Sequence, residues 1–134
     1  MTPILAIDPG ASGGLAWRDA DGVIHAEPMP KGMTAQVDRL RALAADLGGL
    51  TVIVERVGGY RKGNAGPPSC KFARHCGNLE AALYTLGVSV QQVAPTKWMP
   101  AVGTWPKDKP ARKRAIREEM ARRHPYLTVT LATA

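Results

Sequence analysis

The chain has 134 residues, of which 45% are hydrophobic and 22% charged, as in a single globular domain with one sizeable core. The sequence contains no run of about 18 apolar residues and no basic-then-apolar leader, so we expect a cytoplasmic protein without a membrane span. Eighteen Lys and Arg oppose eleven Asp and Glu, giving a net charge of +7. This charge favours nucleic acid as the partner, with a merely basic surface as the alternative.

An apolar run that ends on a carboxylate opens the chain. Residues 4–7 precede Asp8, and Pro9-Gly10 and several small residues follow before the chain becomes apolar again at Leu15. This order predicts a buried strand, a tight turn and an antiparallel return strand. A carboxylate among glycines suits a metal ion held close to backbone and phosphate. Asp-Pro-Gly is also ordinary turn chemistry, so a purely structural Asp8 remains open.

Further strands are predicted over 13–18 and 23–27, and an Asp-Gly turn joins them into an antiparallel meander. A helix is predicted from Thr34, a good capping residue, to Leu47 before two glycines. The β-branched run from Leu50 to Glu55 predicts a buried parallel strand. Like the first strand, it ends on a carboxylate.

Residues 57–68 contain four glycines and two prolines, which predicts a mobile basic loop bearing Tyr60, Arg61 and Lys62. A long helix is predicted from Ser69 to Leu86. Its apolar stripe packs on the sheet, and a strip of small residues beside that stripe allows a second helix to approach closely. The two cysteines, Cys70 and Cys76, fall within this helix, and we expect free buried thiols in a reducing compartment.

Alternation over 88–93 predicts another strand, followed by a loop that continues to Pro106. A basic helix is predicted from Asp108 to His124, with Pro110 tolerated in its first turn. Eight of the eighteen cationic residues lie between Lys107 and Arg123. Residues 126–131 are rich in β-branched side chains and predict a last strand.

A meander followed by helical crossovers predicts a ribonuclease H-like α/β fold. We expect a mixed five-stranded sheet, with strands 1–3 antiparallel, parallel strands after them, and helices on both faces. Adjacent strands one and four then bring Asp8 and Glu55 together. Two carboxylates in contact need a cation or a proton between them, and hard oxygen ligands favour Mg²⁺ or Mn²⁺. Two such metals hydrolyse phosphodiesters, but that chemistry usually needs about three or four carboxylates.

Four stretches, taken in order, resemble the RuvC-like Holliday junction resolvases, especially the small bacterial and phage members. They are residues 4–10 with Gly13-Gly14, residues 52–55, residues 77–81, and residues 93–98 continuing through 107–109 into the basic helix. The resemblance covers nearly the whole chain. It implies a metal-dependent endonuclease that cuts four-way DNA junctions as a homodimer, in the cytoplasm of a bacterium or a phage-infected cell.

The resemblance also implies roles for particular residues. Asp8 and Glu55 match metal-binding catalytic acids, with Mg²⁺ or Mn²⁺ as the cofactor, and Lys97 and Lys109 match catalytic basic positions near the scissile or flanking phosphates. The helix over 69–86 corresponds to the dimerising helix. The expected DNA-binding residues are Ser12, Tyr60, Arg61, Lys62, Lys71, Lys97, Lys107, Lys109, Arg112 and Lys113.

The sequence departs from this family at its carboxyl end. Relatives continue into a helix that carries one or two further aspartates to the metals, whereas this sequence stops at Ala134. We therefore expect one domain over 1–134, truncated at its carboxyl end, with weak metal binding and little cleavage. Asp108, Glu118 and Glu119 are candidate substitutes, but ion pairing within a cationic helix is the expected role of these acids.

Two other functions remain as alternatives. A catalytically inactive junction-binding or DNA-binding protein of the same fold is favoured by the missing acids. It is opposed by the pair of Asp8 and Glu55, since a buried acid pair without a function destabilises the fold. A phosphotransferase of the actin and sugar-kinase type has a similar first hairpin but needs two domains. Trp98 and Trp105 either stack on bases or anchor their loop on the core.

Overall fold

The computed structural model describes residues 1–57 and 66–127. Three strands open the chain, helices and strands then alternate, and two consecutive helices close the second of these ranges. In chain order the elements are β1 (Ile4–Asp8), β2 (Gly14–Arg18), β3 (Ile24–Pro28), α1 (Met33–Leu47), β4 (Thr51–Glu55), α2 (Gly66–Leu86), β5 (Ser89–Val93), α3 (Pro95–Val102) and α4 (Lys109–Arg123).

The strands form one mixed sheet in the order β3-β2-β1-β4-β5. β1 and β3 both run antiparallel to β2, whereas β4 runs parallel to β1 and to β5. The connection from β3 through α1 to β4 and the connection from β4 through α2 to β5 both lead along the sheet toward β5. Right-handed connections therefore place both helices on one face, where they contact each other. The predicted meander, the mixed five-stranded sheet and the adjacency of strands one and four are confirmed.

The core lies between the sheet and the two helices α1 and α2. Alternate residues of the central strands point to this side, and Leu5 and Val52 are completely buried there. Leucines from both helices complete the cluster. Its buried members are Leu5, Ile7, Leu15, Met29, Leu40, Leu43, Leu50, Val52, Leu79 and Leu83. The other residues of each strand, including Ala6 and Asp8, lie on the opposite face, where both are exposed.

Two helices begin earlier than predicted. α1 starts at Met33 with Gly32 as its N-cap and without a side-chain cap, so the capping role predicted for Thr34 is wrong. α2 starts at Gly66, so residues 66–68 are helical and not part of the preceding loop. Proline is accepted in a first helical turn because its missing N–H has no partner within the helix.

Residues 95–102 form α3, where a loop was predicted. The prolines and Gly103 favour a loop, but Pro95 lies at the start of α3, where its fixed φ suits a helix. The basic helix α4 is confirmed. Its N-cap, Asp108, accepts a hydrogen bond from the backbone N–H of Ala111 at 3.0 Å. The last predicted strand does not begin at Tyr126, which lies in a turn, and its residues from 128 onward lie outside the described ranges.

Both cysteines are free, but Cys70 is exposed and Cys76 is half-buried, so the expectation of two buried thiols is wrong. Cys70 lies in the first turns of α2, whereas the buried residues of that helix, Leu79 and Leu83, lie in its later turns. Among the helices of the described residues, none combines the length and the apolar character that crossing a membrane requires.

Candidate active site

Asp8 and Glu55 end two neighbouring parallel strands. Ile7 pairs with Val54 in the ladder between β1 and β4, so the two acids are the next residues along that ladder. Neighbouring strands lie about 4.8 Å apart, and alternation directs both side chains to the face opposite α1 and α2. Asp8 is exposed and Glu55 is half-buried. The fold therefore brings the two carboxylates to one edge of the sheet, as their positions at strand ends predicted.

The turn that follows Asp8 is held by glycine. Gly10 has a φ of 119°, which side-chain-bearing residues rarely adopt. The N–H of Gly13 donates to the carbonyl of Gly10 at 3.0 Å, and the carbonyl of Gly13 accepts from Met29 at 3.0 Å. A Cβ at Gly13 would overlap the carbonyl oxygen of Asp8. The close return of the chain past Asp8 thus depends on the absence of a side chain.

Glu55 is held from the other side by α3. The indole Nε1–H of Trp98 donates to Glu55 Oε2 at 2.9 Å. α3 follows β5 directly, and Val93 at the end of β5 is the ladder partner of Glu55. Sequence reasoning missed this contact and offered only base stacking or core anchoring for Trp98. The available signal is that a buried indole N–H usually finds an acceptor.

The donor set fits one hard divalent cation. Two carboxylates at adjacent strand ends supply oxygen ligands, and a cation such as Mg²⁺ keeps several waters as its remaining ligands. Across residues 1–57 and 66–127, no cluster of three or more His, Cys, Asp and Glu side chains is arranged to hold a metal ion. The set is therefore smaller than the one that two-metal chemistry normally uses.

Two of the three acids that could substitute as metal ligands, Asp108 and Glu119, have other partners in the structure. Asp108 caps the helix. Glu119 accepts hydrogen bonds from Arg122 and from Arg123, each at 2.6 Å. These bonds, that of Arg122 first, lower the pKa of Glu119 to about 2 because they favour the charged carboxylate. Glu118 is exposed on the same helix. Glu119 therefore has the expected ion pairs within α4, whereas Asp108 acts as the helix cap instead.

Three predicted DNA-binding residues lie on elements that adjoin the acids. Ser12 is exposed in the turn between β1 and β2. Lys71 is exposed on α2 beside Phe72, whose ring lies 3.5 Å from where a Gly10 Cβ would be. Lys97 is exposed on α3, next to the tryptophan that holds Glu55.

The other predicted DNA-binding residues lie farther along the chain or outside the described ranges. Lys107, Lys109 and Lys113 are exposed at the start of α4. Arg112 is half-buried, and its guanidinium donates to the carbonyl of Lys107 at 2.9 Å, so this side chain also braces the turn before α4. The remaining three residues, Tyr60, Arg61 and Lys62, lie outside the residues that the structure describes.

An apolar groove of about 320 Å³ borders the site between α2 and the strands β4 and β5. Glu55 and Glu80 contribute to its lining, but most of its wall is aliphatic, formed by Val54, Val57, Leu79, Leu83, Val88 and Val90. Because the wall of this groove is mostly aliphatic, we place the candidate reacting groups at the strand ends, where Asp8 and Glu55 lie, and not within the groove.

Comparison with known proteins identifies the fold. No protein family model and no curated protein matches the chain. The chain is 18% identical to a Thermus thermophilus RuvC solved in complex with a Holliday junction substrate, with a TM-score of 0.53 over 88% of this chain and 78% of that one. A second Thermus thermophilus RuvC structure is 20% identical, with a TM-score of 0.45 over 75% and 68% of the two chains. The first match and the mixed five-stranded sheet of this chain together show that the chain has a RuvC-like, ribonuclease H-like α/β fold.

Proposed function

We propose that this protein is a metal-dependent endonuclease that hydrolyses phosphodiesters in branched DNA, with four-way junctions as its substrate class. The observation that carries the proposal is the placement of Asp8 and Glu55 on adjacent ends of parallel strands in a chain of net charge +7. The similarity to a RuvC that is bound to a Holliday junction supports the choice of substrate class.

Asp8 and Glu55 would hold Mg²⁺ or Mn²⁺ at the edge of the sheet. When bound, such an ion activates water and neutralises phosphate charge. The chain itself fixes two carboxylate ligands at the ends of strands. Gly10 and Gly13 let the backbone that follows Asp8 return close to that residue. We assign Lys97 and Lys109 to the scissile or flanking phosphates, where fixed positive charge stabilises a developing oxyanion.

The remaining basic residues would bind the DNA backbone outside the reacting phosphate. Lys71, Lys107 and Lys113 are exposed, and Arg112, Ser12 and the Tyr60-Arg61-Lys62 segment complete the proposed surface. Contacts of this kind give affinity that falls steeply with salt, because each phosphate that is neutralised releases counterions.

We also propose a homodimer formed through α2. Its small residues Ala73, Gly77 and Ala81 are exposed, so a second copy of the helix could approach them closely. A two-fold dimer presents two identical sites, which suits two symmetric cuts in a four-way junction.

A second candidate function is junction binding without cleavage. It is favoured by the small donor set, because among the described residues no group of three or more His, Cys, Asp and Glu side chains is arranged to hold a metal ion. In that case the basic surface still binds DNA. The acid pair binds its cation too weakly for hydrolysis, or binds one cation where hydrolysis needs two.

A cleavage assay separates the two candidates. The chain is incubated with an end-labelled four-way junction and with the matching duplex, each with Mn²⁺ or Mg²⁺. The proposed endonuclease cuts the junction in paired positions, and both Asp8→Asn and Glu55→Gln abolish the cutting while leaving DNA binding intact. Junction binding without any nick would contradict the endonuclease and establish the second candidate.

A further inference from the structure

We infer that Trp98 is a positioning residue that fixes the orientation of the Glu55 carboxylate. This inference deepens the proposed function and rests on it. Its basis is the 2.9 Å hydrogen bond from the indole Nε1 of Trp98 to Oε2 of Glu55, across 43 residues of sequence. The contact is part-buried, and it links the end of β4 to the first turn of α3.

The hydrogen bond distinguishes the two carboxylate oxygens of Glu55. Oε2 accepts from the indole N–H of Trp98, and we assign Oε1 to the cation. Glutamate has three side-chain torsions, and an unrestrained carboxylate samples several rotamers. A donor that selects one of them prepares the ligand before the metal arrives. Carboxylates that bind metals are typically held by such outer partners.

Trp98 can act in this way because its own backbone is fixed. The carbonyl of Ala94 accepts from the N–H groups of both Lys97 and Trp98, at 2.9 and 3.2 Å. The N–H of Arg56 donates to the carbonyl of Val93 at 2.8 Å, so the chain just after Glu55 is bonded to the end of β5, two residues before α3. The acceptor, Glu55, thus ends β4, and the donor, Trp98, lies in the helix that follows the neighbouring strand β5.

The far end of α3 is braced independently by a second tryptophan. The indole of Trp105 donates to the carbonyl of Met99 at 2.8 Å. Its ring lies so close to Gly103 that a Cβ there would be 2.9 Å from Cζ2. The two indoles therefore make different hydrogen bonds. Trp98, within α3, donates to the side-chain carboxylate of Glu55, whereas Trp105, outside α3, donates to a backbone carbonyl of that helix. This pair supplies a matched control.

The test compares Mn²⁺ affinity, measured by titration calorimetry without DNA, in the unaltered chain, Trp98→Phe and Trp105→Phe. Each substitution removes one indole N–H and keeps an aromatic ring. We expect Trp98→Phe to weaken Mn²⁺ binding roughly ten- to hundredfold, as loss of an outer partner of a metal ligand does. Trp105→Phe should bind as the unaltered chain does. Thermal melts check that both variants are folded.

A nuclear magnetic resonance measurement tests the hydrogen bond itself. The chain has three tryptophans, and their indole N–H signals are assigned by single replacement with Phe. We expect Glu55→Gln, and separately the addition of Mg²⁺ to the unaltered chain, to move the Trp98 signal more than the other two. Because Glu55→Gln keeps the Trp98 ring, this measurement stands even if Trp98→Phe unfolds the chain.

The outcomes distinguish the inference from the function on which it rests. An unaltered chain that binds no Mn²⁺ would overturn the proposed function and the inference together. Equal Mn²⁺ affinity in Trp98→Phe and the unaltered chain would overturn the inference alone. A Trp98 signal that Glu55→Gln leaves in place would also overturn the inference, whatever the affinities are.

Discussion

Two glycines in the turn after β1 are needed for different physical reasons. At Gly10 the requirement is conformational, because its φ of 119° strains any residue that has a Cβ. At Gly13 the requirement is space, because the carbonyl oxygen of Asp8 occupies the place of a Cβ. The turn therefore fixes the backbone of Asp8, the proposed metal ligand. Replacing either glycine would displace that residue.

We predict that Gly13→Ala destabilises the protein by about 1–3 kcal/mol, as overpacking in a well-packed region does, and displaces Asp8. The matched control is Gly66→Ala at the start of α2, where a Cβ meets nothing within 4 Å. That change should alter stability by at most about 1 kcal/mol. Urea unfolding of both variants measures the two effects. Equal stability of Gly13→Ala and the unaltered chain would contradict this description of the turn.

Glu119 predicts a pH dependence of stability. Its pKa falls from 4.5 to about 2 in the folded chain, first through the hydrogen bond from Arg122 and then through that from Arg123. A lowered folded-state pKa stabilises the fold fully above the unfolded pKa, and this contribution disappears as the pH falls from about 4.5 toward 2. Glu119→Gln should lower stability at pH 7, by an amount that salt reduces.

The measurement for Glu119 is urea unfolding of Glu119→Gln and the unaltered chain across this pH range. The difference between them should shrink steadily below pH 4.5. Glu118→Gln, a change at an exposed neighbour, serves as the control for loss of charge alone. A difference that stays constant down to pH 2 would show that the carboxylate does not act through its charge.

At the scale of elements, α4 owes its first turn to a side-chain cap. Asp108 accepts from the N–H of Ala111, one of the groups that a helix leaves without an internal partner. We predict that Asp108→Ala lowers the free energy of unfolding by about 1 kcal/mol, whereas Asp108→Asn, which keeps an oxygen acceptor, changes it little. Chemical unfolding of the two variants measures this. Equal losses in both would indicate that the charge of Asp108 matters and not its hydrogen bond.

The sequence predicts α4 but not α3, and the reason is local. α4 has a cap, a first-turn proline and a long run of helix-forming residues, all of which can be read within one window. α3 has only eight residues and contains Pro100, which argues against a helix at short range. What stabilises α3 are contacts that come from outside it, from Glu55 and from the Trp105 ring. Such contacts depend on the tertiary arrangement.

In the candidate site, too, features that depend on local sequence could be predicted, whereas a contact that depends on the tertiary arrangement could not. Asp8 and Glu55 could be predicted because each ends an apolar strand, and the order of strands and helices makes those strands neighbours. The indole donor of Trp98 could not be predicted, because it reaches Glu55 only after β5 has been paired with β4. The early start of α2 was missed because its prolines resemble a loop.

At the scale of the whole molecule, we predict that the chain dimerises through the exposed strip of α2. Ala73→Arg places a large charge on this strip while leaving the buried Leu79 and Leu83 untouched. We expect sedimentation analysis to show a dimer for the unaltered chain and a folded monomer for the variant, whose melt stays cooperative but has a lower midpoint because the stabilising partner is lost. Lys113→Ala, on α4, is the control and should remain dimeric. A monomeric unaltered chain would contradict the proposed dimer.

The net charge of +7 and the strand ends at which Asp8 and Glu55 meet are properties of the molecule as a whole. Under the proposed function, we predict that this chain recognises branched DNA. The most direct test is gel-shift binding to a synthetic four-way junction against the matching duplex, with Ca²⁺ present to support binding without cleavage. We predict a clear preference for the junction that persists as salt is raised, while affinity for both DNAs falls. Equal affinity for junction and duplex at every salt concentration would contradict it.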